Sequence, residues 1–260
     1  MTDKKIEIFK PNQIIRGNPL NLSLEGKKMM NAIIYAVSKY DFKKRQIKTE
    51  MRFFRKAMNL EKDNSYVDII SGALKSLATP IVIKNYKDEN GNFYKRKSLA
   101  FLDNDFNIGK NTKDANSNKW QLDFKVNQTF FNLIKNAYNG NYTCLEWKKI
   151  SNKFSSKYSI SIYEYLKSFH SDHKYLKVEL QTLNETLGTN NLPLSKACII
   201  LDRCIKEILL KSDINYLKYE KVKKKKQIIF YFIPKENIEK SRNKKQVQKQ
   251  IQSLTKKIST

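Results

Sequence analysis

The sequence predicts an α+β fold of short helices and small antiparallel hairpins, and three patterns in its 260 residues support that prediction. Apolar residues recur at helical spacing in several segments, and segments of alternating apolar and polar residues follow the helices in both halves of the chain. Asn-Gly and lysine-rich segments lie between the alternating runs, as is typical of hairpin turns. Because helices precede hairpins in each half, we expect two domains of one architecture.

Residues 1–20 are predicted to be a flexible N-terminal arm. Pro11, Gly17 and Pro19 interrupt every regular pattern in this segment, since proline lacks the N–H that helices and sheets use and glycine weakens both. We therefore expect a loosely held segment outside the core.

The first domain is predicted over residues 21–140 and begins with three helices. The first helix starts after Ser23, a favourable N-cap, and the others cover about residues 49–59 and 65–78. Each has apolar residues at the three- and four-residue spacing of one helical face.

Antiparallel strands follow these helices. A strand at 81–83 and a return strand at about 93–102 flank Asn90 and Gly91, a strong hairpin signal. A further alternation covers Trp120–Val126, and a helix at about 127–139 ends the domain. Three helices followed by antiparallel strands match the order expected of a winged helix.

The second domain is predicted over residues 141–235. Its first helix carries an apolar stripe from Ile150 to Phe169. A shorter helix has Leu183 and Leu187 on one face and ends at Gly188, and a turn then leads to a second helix with Ser195 as its N-cap.

A lysine-rich hairpin follows this helix–turn–helix. Its strands alternate over Asn215–Tyr219 and Gln227–Ile233, and five lysines lie between them. Helix, turn, helix and hairpin form the outline of a winged helix, so we predict two tandem winged-helix domains. In that fold the second helix of the pair can enter the DNA major groove, and the wing can lie along phosphates. The basic tail, residues 236–260, has the spacing of an amphipathic helix.

The formal charge of +26 predicts a polyanionic partner, either nucleic acid or an anionic membrane. Part of the lysine excess is also explained by the coding bias of an A/T-rich genome. No apolar run is long enough to span a bilayer, and the first residues do not form a signal peptide. Three cysteines are too few for a disulfide framework, so we expect a cytoplasmic protein.

No catalytic, metal or nucleotide site is predicted, and we expect no cofactor. His170 and His173 lack the spacing of the metal-binding pair of rolling-circle initiators, and a surface position explains them better. Cys198 and Cys204 are six residues apart, which suits packing and not metal binding. No phosphate-binding Gly-rich loop occurs, so we do not expect the chain to use ATP.

Several stretches, taken in order, resemble the plasmid replication initiators of the Rep 3 (iteron-binding) family. Tyr158–Lys167 resembles the family's helix with the apolar-Tyr-Glu-x-Leu pattern. Leu183–Gly188 is similar to the first helix of its second helix–turn–helix, Leu201–Ile208 to the end of its recognition helix, and Ile228–Pro234 to its closing wing strand.

The resemblance implies a protein of two winged-helix domains that binds repeated origin sites, or iterons. It implies monomers that bind iterons and help to open an A/T-rich segment. It also implies dimers, formed largely through the first domain, that repress the initiator's own gene or couple origins. The host initiator and the replicative helicase are the further partners that it implies.

The chain departs from the family at one place in the recognition helix. The family carries adjacent basic residues just before its Leu-Asp segment, and Cys198 and Ile199 stand there in this sequence. An arginine that reads guanine is therefore absent at that point, although Ile199 could contact a thymine methyl group.

The candidate DNA contacts are drawn from the helix–turn–helix and from both hairpins, and each also has an alternative interpretation. The lysine run could be a solvated turn, the first-domain hairpin charges could protect a strand edge, and Arg203 could pair with Asp202 or Glu207. The candidates are Asn190, Asn191, Ser195, Lys196, Ile199, Arg203 and Lys206; Lys221, Lys223, Lys224, Lys225 and Lys226; and Lys84, Lys87, Lys95, Arg96 and Lys97.

Three other functions remain open at this point. A tandem winged-helix transcriptional regulator would share the fold and bind DNA without acting at an origin. A nicking enzyme would cut supercoiled origin DNA in the presence of a divalent metal. An RNA-binding protein would prefer structured RNA to duplex DNA.

Overall fold

The computed structural model describes residues 7–17, 22–39, 44–88, 90–110, 119–137, 142–146, 154–169, 175–189 and 191–234. Asn190, His170, His173 and the predicted C-terminal tail lie outside these residues. No helix within the described ranges is long and apolar enough to cross a membrane.

Short helices and short strands alternate along the chain. The helices are α1 (Asn12–Gly17), α2 (Leu24–Lys39), α3 (Met51–Ala57), α4 (Tyr66–Ala78), α5 (Gln128–Ala137), α6 (Lys157–Lys167), α7 (Leu180–Leu187) and α8 (Leu194–Lys211). The strands are β1 (Glu7–Pro11), β2 (Gln46–Glu50), β3 (Ile81–Lys87), β4 (Phe93–Leu99), β5 (Leu102–Lys110), β6 (Trp120–Val126), β7 (Tyr142–Glu146), β8 (Tyr175–Glu179), β9 (Ile214–Val222) and β10 (Gln227–Pro234).

Two units repeat one order of elements. The first unit runs α2, β2, α3, α4, β5, β6, and the second runs α6, β8, α7, α8, β9, β10. Their sheets have the matching orders β2-β6-β5 and β8-β10-β9, with all neighbours antiparallel. In each unit the last strand therefore lies between the other two, and the prediction of two tandem winged helices is confirmed.

The first unit contains an additional hairpin between α4 and its three-stranded sheet. Strands β3 and β4 pair antiparallel across a turn closed by Gly91 N–H donating to Asp88 O at 3.1 Å. Gly91 has φ +85°, which favours glycine. The hairpin predicted from Asn90 and Gly91 is therefore confirmed. The single return strand expected at 93–102 is instead two strands, because the chain turns at Phe101, whose N–H donates to Leu77 O at 2.9 Å.

Local signals explain where several helices begin. Ser23 Oγ accepts from Gly26 N–H at 3.0 Å and caps α2, as expected. Helix α3 starts at Met51 and not at Thr49, because residues up to Glu50 pair with β6 as a strand. Helix α6 follows Ser156, whose hydroxyl accepts from Tyr158 N–H at 3.2 Å.

The expectation of a flexible arm is wrong for residues 7–17. Strand β1 pairs antiparallel with β7, and Ile8 and Ile14 are fully buried. Pro11 and Gly17 do not interrupt these elements, because each is the last residue of its element. The strand partner of β1 follows about 130 residues later in the chain, so no local pattern could reveal it.

Most of the buried apolar side chains of both units form one large cluster. Cys198 and Cys204 belong to it and are 2% and 1% exposed. The prediction that both cysteines serve packing is confirmed. Burial raises the pKa of the Cys204 thiol to about 11, so this group stays protonated.

Candidate nucleic-acid interface

The turn between α7 and α8 is held by one buried side chain. Gly188, at φ +66°, ends α7 as predicted. Asn184 is 4% exposed; its Nδ2 donates to Leu192 O at 2.9 Å, and its Oδ1 accepts from Leu192 N–H at 3.2 Å and from Thr189 Oγ1 at 2.8 Å. These bonds fix where α8 begins relative to α7.

Sequence reasoning missed the role of Asn184. The signal that could have found it is its position directly after Leu183, on the edge of an apolar helix face. An asparagine buried there needs hydrogen-bond partners, and a nearby turn is the source of free backbone groups.

Helix α8 buries one face and exposes the opposite one. Ala197, Leu201 and Cys204 pack into the core. The outward face carries five of the predicted contacts, and Ile199 among them is 56% exposed. The exposed candidates on this face are Ser195, Lys196, Ile199, Arg203 and Lys206.

Ser195 is exposed, but it is not the N-cap that was expected. Helix α8 begins one residue earlier, with Pro193 as its N-cap. The carbonyl of Pro193 accepts from Ala197 N–H at 3.0 Å. Ser195 therefore lies in the first helical turn, where its hydroxyl faces solvent. Asn191 precedes it in the turn, exposed and at φ +48°.

The carboxylates of Asp202 and Glu207 on α8 accept hydrogen bonds from residues other than Arg203. Tyr219 on β9 donates its hydroxyl to Asp202 Oδ1 at 2.8 Å. Glu207 Oε1 accepts from Lys211 Nζ at 2.8 Å and from Ser155 N–H at 2.6 Å. Within the described ranges Arg203 forms no ion pair with either carboxylate, so its guanidinium stays available for an anion.

Hydrogen bonds keep Glu207 ionised. Burial raises the pKa of this carboxyl, but the bonds from Lys211 and Ser155 outweigh burial and lower the pKa to about 2. The charge of Glu207 is therefore balanced locally on the side of α8 that faces α6.

The wing is attached to the helix–turn–helix through its main chain. Lys223–Lys225 form a single 3₁₀ turn between β9 and β10, and Lys226 follows at φ +47°. Lys226 O accepts from Leu180 N–H at 2.9 Å, which links the wing tip to the first turn of α7. The side chains of Lys221, Lys223, Lys224, Lys225 and Lys226 are all exposed.

A groove of about 750 Å³ separates the wing from the helix–turn–helix. Its lining includes Asn191 on one side and Lys223, Lys225 and Lys226 on the other. Among the described residues that line the groove, Glu179 alone is acidic. The structure thus brings predicted contacts from two separate elements around one open, basic channel.

The first-domain hairpin lies beside α7, and its charged residues differ in their contacts. Lys84 forms an ion pair with Glu185 on α7. Lys97 Nζ lies 4.5 Å from the ring centroid of Tyr86 and 5.1 Å from that of Tyr94. Lys87, Lys95 and Arg96 are exposed. Two of the five predicted contacts on this hairpin are therefore already engaged within the chain.

In the described part of the chain, no group of three or more His, Cys, Asp or Glu side chains could hold a metal ion. An exposed helix after a tight turn, a lysine-rich wing beside it and a second winged helix in tandem together define the class of tandem winged-helix, nucleic-acid-binding proteins.

The chain belongs to the initiator replication protein family. The family model described as "Initiator Replication protein, WH1" matches residues 7–167, which contain the first winged helix and α6. The resemblance noted in the sequence is confirmed. No curated protein matches the sequence.

Two solved structures share the fold. A crystal structure of the Pi initiator protein in complex with iteron DNA matches with a TM-score of 0.63 and 17% identity, over 90% of this chain and 99% of that chain. A structure of domains 2 and 3 of RctB matches with a TM-score of 0.52 and 12% identity, over 83% of this chain and 84% of that chain.

Proposed function

We propose that this protein is a plasmid replication initiator that binds repeated double-stranded origin sites and promotes opening of the origin. The observation that carries the proposal is the basic channel between the helix–turn–helix and the wing, in a chain that belongs to the initiator family. The Pi initiator, which shares the fold, has been crystallised with iteron DNA.

In this mechanism the wing and the helix have different tasks. Lys221 and the wing-tip lysines contact phosphates, which strengthens binding and sets the orientation of the protein without reading sequence. The outward face of α8, from Ser195 to Lys206, reads base edges in the major groove. Asn191 extends this contact from the turn, and Asn190 is kept as a proposed contact from the sequence.

The position of the missing basic pair has a structural explanation. Cys198 is 2% exposed, so the side chain at that position packs and cannot reach a base. Ile199 is exposed and apolar, which suits the methyl group of thymine. We therefore propose that the sites read by this chain are rich in A·T pairs where α8 enters the groove.

The two units have separate roles in the proposal. Residues 21–140 supply dimerisation and backbone contacts, and residues 141–235 supply sequence-specific binding. A homodimer in equilibrium with a monomer represses the initiator's gene, and the host initiator and helicase join at the opened origin. We therefore also propose a location in the bacterial cytoplasm.

Binding to a duplex from the non-coding region beside the gene tests the proposal. The control is a shuffled duplex of equal composition, titrated near physiological salt. We expect a preference of about 10³ or more, the lower end for specific binders, with ladder-like shifts on repeated sites. Equal binding of both duplexes would overturn the initiator assignment.

A transcriptional regulator with the same fold would also pass that binding test. Replication of a small plasmid that carries the candidate origin separates the two functions. An initiator makes the plasmid depend on this gene supplied in trans. A plasmid that replicates equally well without the gene would leave regulation as the function.

A further inference from the structure

A buried polar cluster lies where β1, α2 and α6 meet. Lys10 Nζ donates to both carboxylate oxygens of Glu164, at 2.9 and 2.8 Å, and to Asn31 Oδ1 at 3.0 Å. Asn31 Nδ2 donates to Glu164 Oε1 at 3.0 Å. All three residues are buried: Lys10 is 2% exposed, Glu164 is 4% exposed and Asn31 is 0% exposed.

The members of this cluster belong to different units of the protein. Asn31 lies on α2, the first helix of the first winged helix, and Glu164 lies on α6, the first helix of the second. Lys10 comes from β1, which precedes both units in the chain. The cluster therefore joins the two units through directional bonds as well as apolar packing.

The residue before Glu164 connects α6 to the DNA-reading elements. Tyr163 donates its hydroxyl to Asp213 Oδ1 at 2.8 Å, and Lys167 Nζ donates to Asp213 Oδ2 at 2.9 Å. Asp213 lies between α8 and β9, at the junction of the reading helix and the wing. Burial raises the pKa of Tyr163, so its hydroxyl keeps the proton that it donates.

Consecutive residues of α6 therefore face opposite partners. Tyr163 contacts the junction of α8 and the wing in the second unit, and Glu164 contacts Asn31 of the first unit. A rotation of one unit against the other would separate the Lys10 ammonium from the Glu164 carboxylate and leave both charges buried without partners. Because unpaired buried charges are strongly unfavourable, one relative orientation is selected.

We propose that Lys10, Asn31 and Glu164 are positioning residues that fix the angle between the two winged helices, and that they thereby set the spacing between two contact regions on the target DNA. The spacing part of this inference rests on the proposed function. Two rigidly joined binding units gain affinity only when the separation of their sites matches their geometry.

Two neighbouring contacts support the same orientation. Arg16 on α1 donates from Nε to Ser168 Oγ at 3.2 Å, and its guanidinium carbon lies 4.0 Å from the ring centroid of Phe169, at the end of α6. The Lys84–Glu185 ion pair joins the first-unit hairpin to α7. Arg16 is exposed and the Lys84 pair is only partly buried, so water screens both more than it screens the cluster.

The main test is a triple variant, Lys10→Met/Asn31→Leu/Glu164→Met. It replaces the cluster with apolar side chains of similar size, and such replacements often preserve stability. It therefore keeps the packing and removes the directional bonds. The matched control is Lys48→Met/Asp123→Leu, which removes an ion pair of 3.2 Å that lies within the first unit.

Electron paramagnetic resonance measures the orientation without DNA. Spin labels are placed at Lys56→Cys and Lys218→Cys, both exposed, in a Cys144→Ser background in which Cys198 and Cys204 stay buried. We expect one narrow distance distribution for the parent and for the control, and a broadened or shifted one for the triple variant. A triple variant with the narrow parental distribution would overturn the proposal.

An exchange variant, Lys10→Glu/Glu164→Lys, covers the case in which the triple variant does not fold. It exchanges the lysine and the glutamate, so the site still holds one ammonium and one carboxylate, and the Asn31 amide can still donate to one and accept from the other. We expect it to restore the narrow distribution. A folded exchange variant with a broad distribution would contradict a positioning role that depends on this pair.

Binding to spaced sites tests the consequence for DNA. One to five base pairs are inserted between the regions that the two units protect. We expect the parent to lose roughly tenfold or more in affinity when the spacing changes, and the triple variant to bind all spacings about equally. A triple variant with the parental spacing profile would overturn the inference. If the parent binds no site specifically, the proposed function fails, while the distance measurement still decides on the positioning role.

Discussion

The two winged helices share one order of elements and one strand order, but their second helices differ in what they expose. Helix α4 of the first unit shows Asp68, Gly72 and Lys75 on its outward face. Helix α8 of the second shows Lys196, Ile199, Arg203 and Lys206 among others. The face of α4 has one acidic residue, one residue without a side chain and one lysine, so it offers little for reading bases. The comparison teaches that the scaffold is common to both units while the exposed side chains of their second helices differ, which supports our proposal that base recognition belongs to the second.

The wing of the second unit is expected to give the largest effect. Changing Lys223, Lys224, Lys225 and Lys226 to Ala should weaken binding to all DNA about equally. The log–log salt slope should fall by roughly one for each phosphate that the variant no longer neutralises. Affinity measured at several salt concentrations checks this.

The matched variant carries Lys87→Ala, Lys95→Ala and Arg96→Ala on the first-unit hairpin. A smaller change in slope is expected there, because none of these three side chains lines the basic channel. An equal or larger change would mean that the first unit carries the main phosphate contacts.

Lys27 on α2, the first helix of the first unit, should make the free energy of unfolding depend on pH in the alkaline range. Burial lowers the pKa of Lys27 from 10.5 to about 8, while Glu164 raises it and Lys10 lowers it. Between these two values the unfolded chain binds more protons than the folded one, so this group's contribution to stability rises with pH, by roughly 3 kcal/mol in all.

Lys27→Met should remove that rise and stabilise the protein near neutral pH. Urea unfolding at pH 7.5, 8.5 and 9.5 measures it, and the exposed Lys44→Met is the control. Parallel pH profiles for the Lys27 variant and the parent would contradict the assignment.

The turns of the two helix–turn–helix elements should differ in sensitivity. Asn184 is buried in the second turn, whereas in the first turn the half-buried Arg55 donates from Nε to Leu60 O at 3.1 Å and from Nη2 to Glu61 O at 2.8 Å. Asn184→Leu should lower the free energy of unfolding by about 1–3 kcal/mol, since it leaves buried backbone groups unpaired.

Arg55→Met should lower it by less, about 1 kcal/mol, because water can replace the exposed part of its bonds. Urea denaturation of both variants makes the comparison. If the Arg55 variant were less stable than the Asn184 variant, the predicted order of sensitivity of the two turns would be wrong.

Substitutions on the second helices of the two units should differ in their effect on the preference for cognate over random DNA. Lys196→Ala or Asn191→Ala should cost about 1–3 kcal/mol on the cognate site and less on random DNA, if either residue reads a base. Lys75→Ala on α4 should leave the preference for the cognate site unchanged. A uniform reduction on both DNAs would assign Lys196 to phosphate contact instead.

Local patterns predicted the helix–turn–helix and the wing of the second unit, although not strand β8, because these signals are close together in sequence. The leucine spacing with Gly188, the apolar stripe of α8 and the lysine turn between alternating strands all fall within about sixty residues. The exposed face of α8 followed from the same stripe, since the residues opposite a buried face must point outward.

The features that were missed depend on partners far away in the chain. Strands β1 and β7 are short, and each is recognisable only through the other. Lys10 and Glu164 would be assigned to the surface by their charge, and only their mutual contact makes burial tolerable. Pairings of this kind are set by tertiary structure and leave no periodic trace.

The pairing of β1 with β7 also has a consequence for synthesis of the protein on the ribosome. Lys10 is made about 150 residues before Glu164, which corresponds to on the order of ten to thirty seconds of translation at typical rates. Until residues 142–146 have been made, the edge of β1 has no strand partner, and until Glu164 has been made, the Lys10 ammonium has no carboxylate partner. The nascent first winged helix therefore completes its packing only when the first helix of the second has emerged.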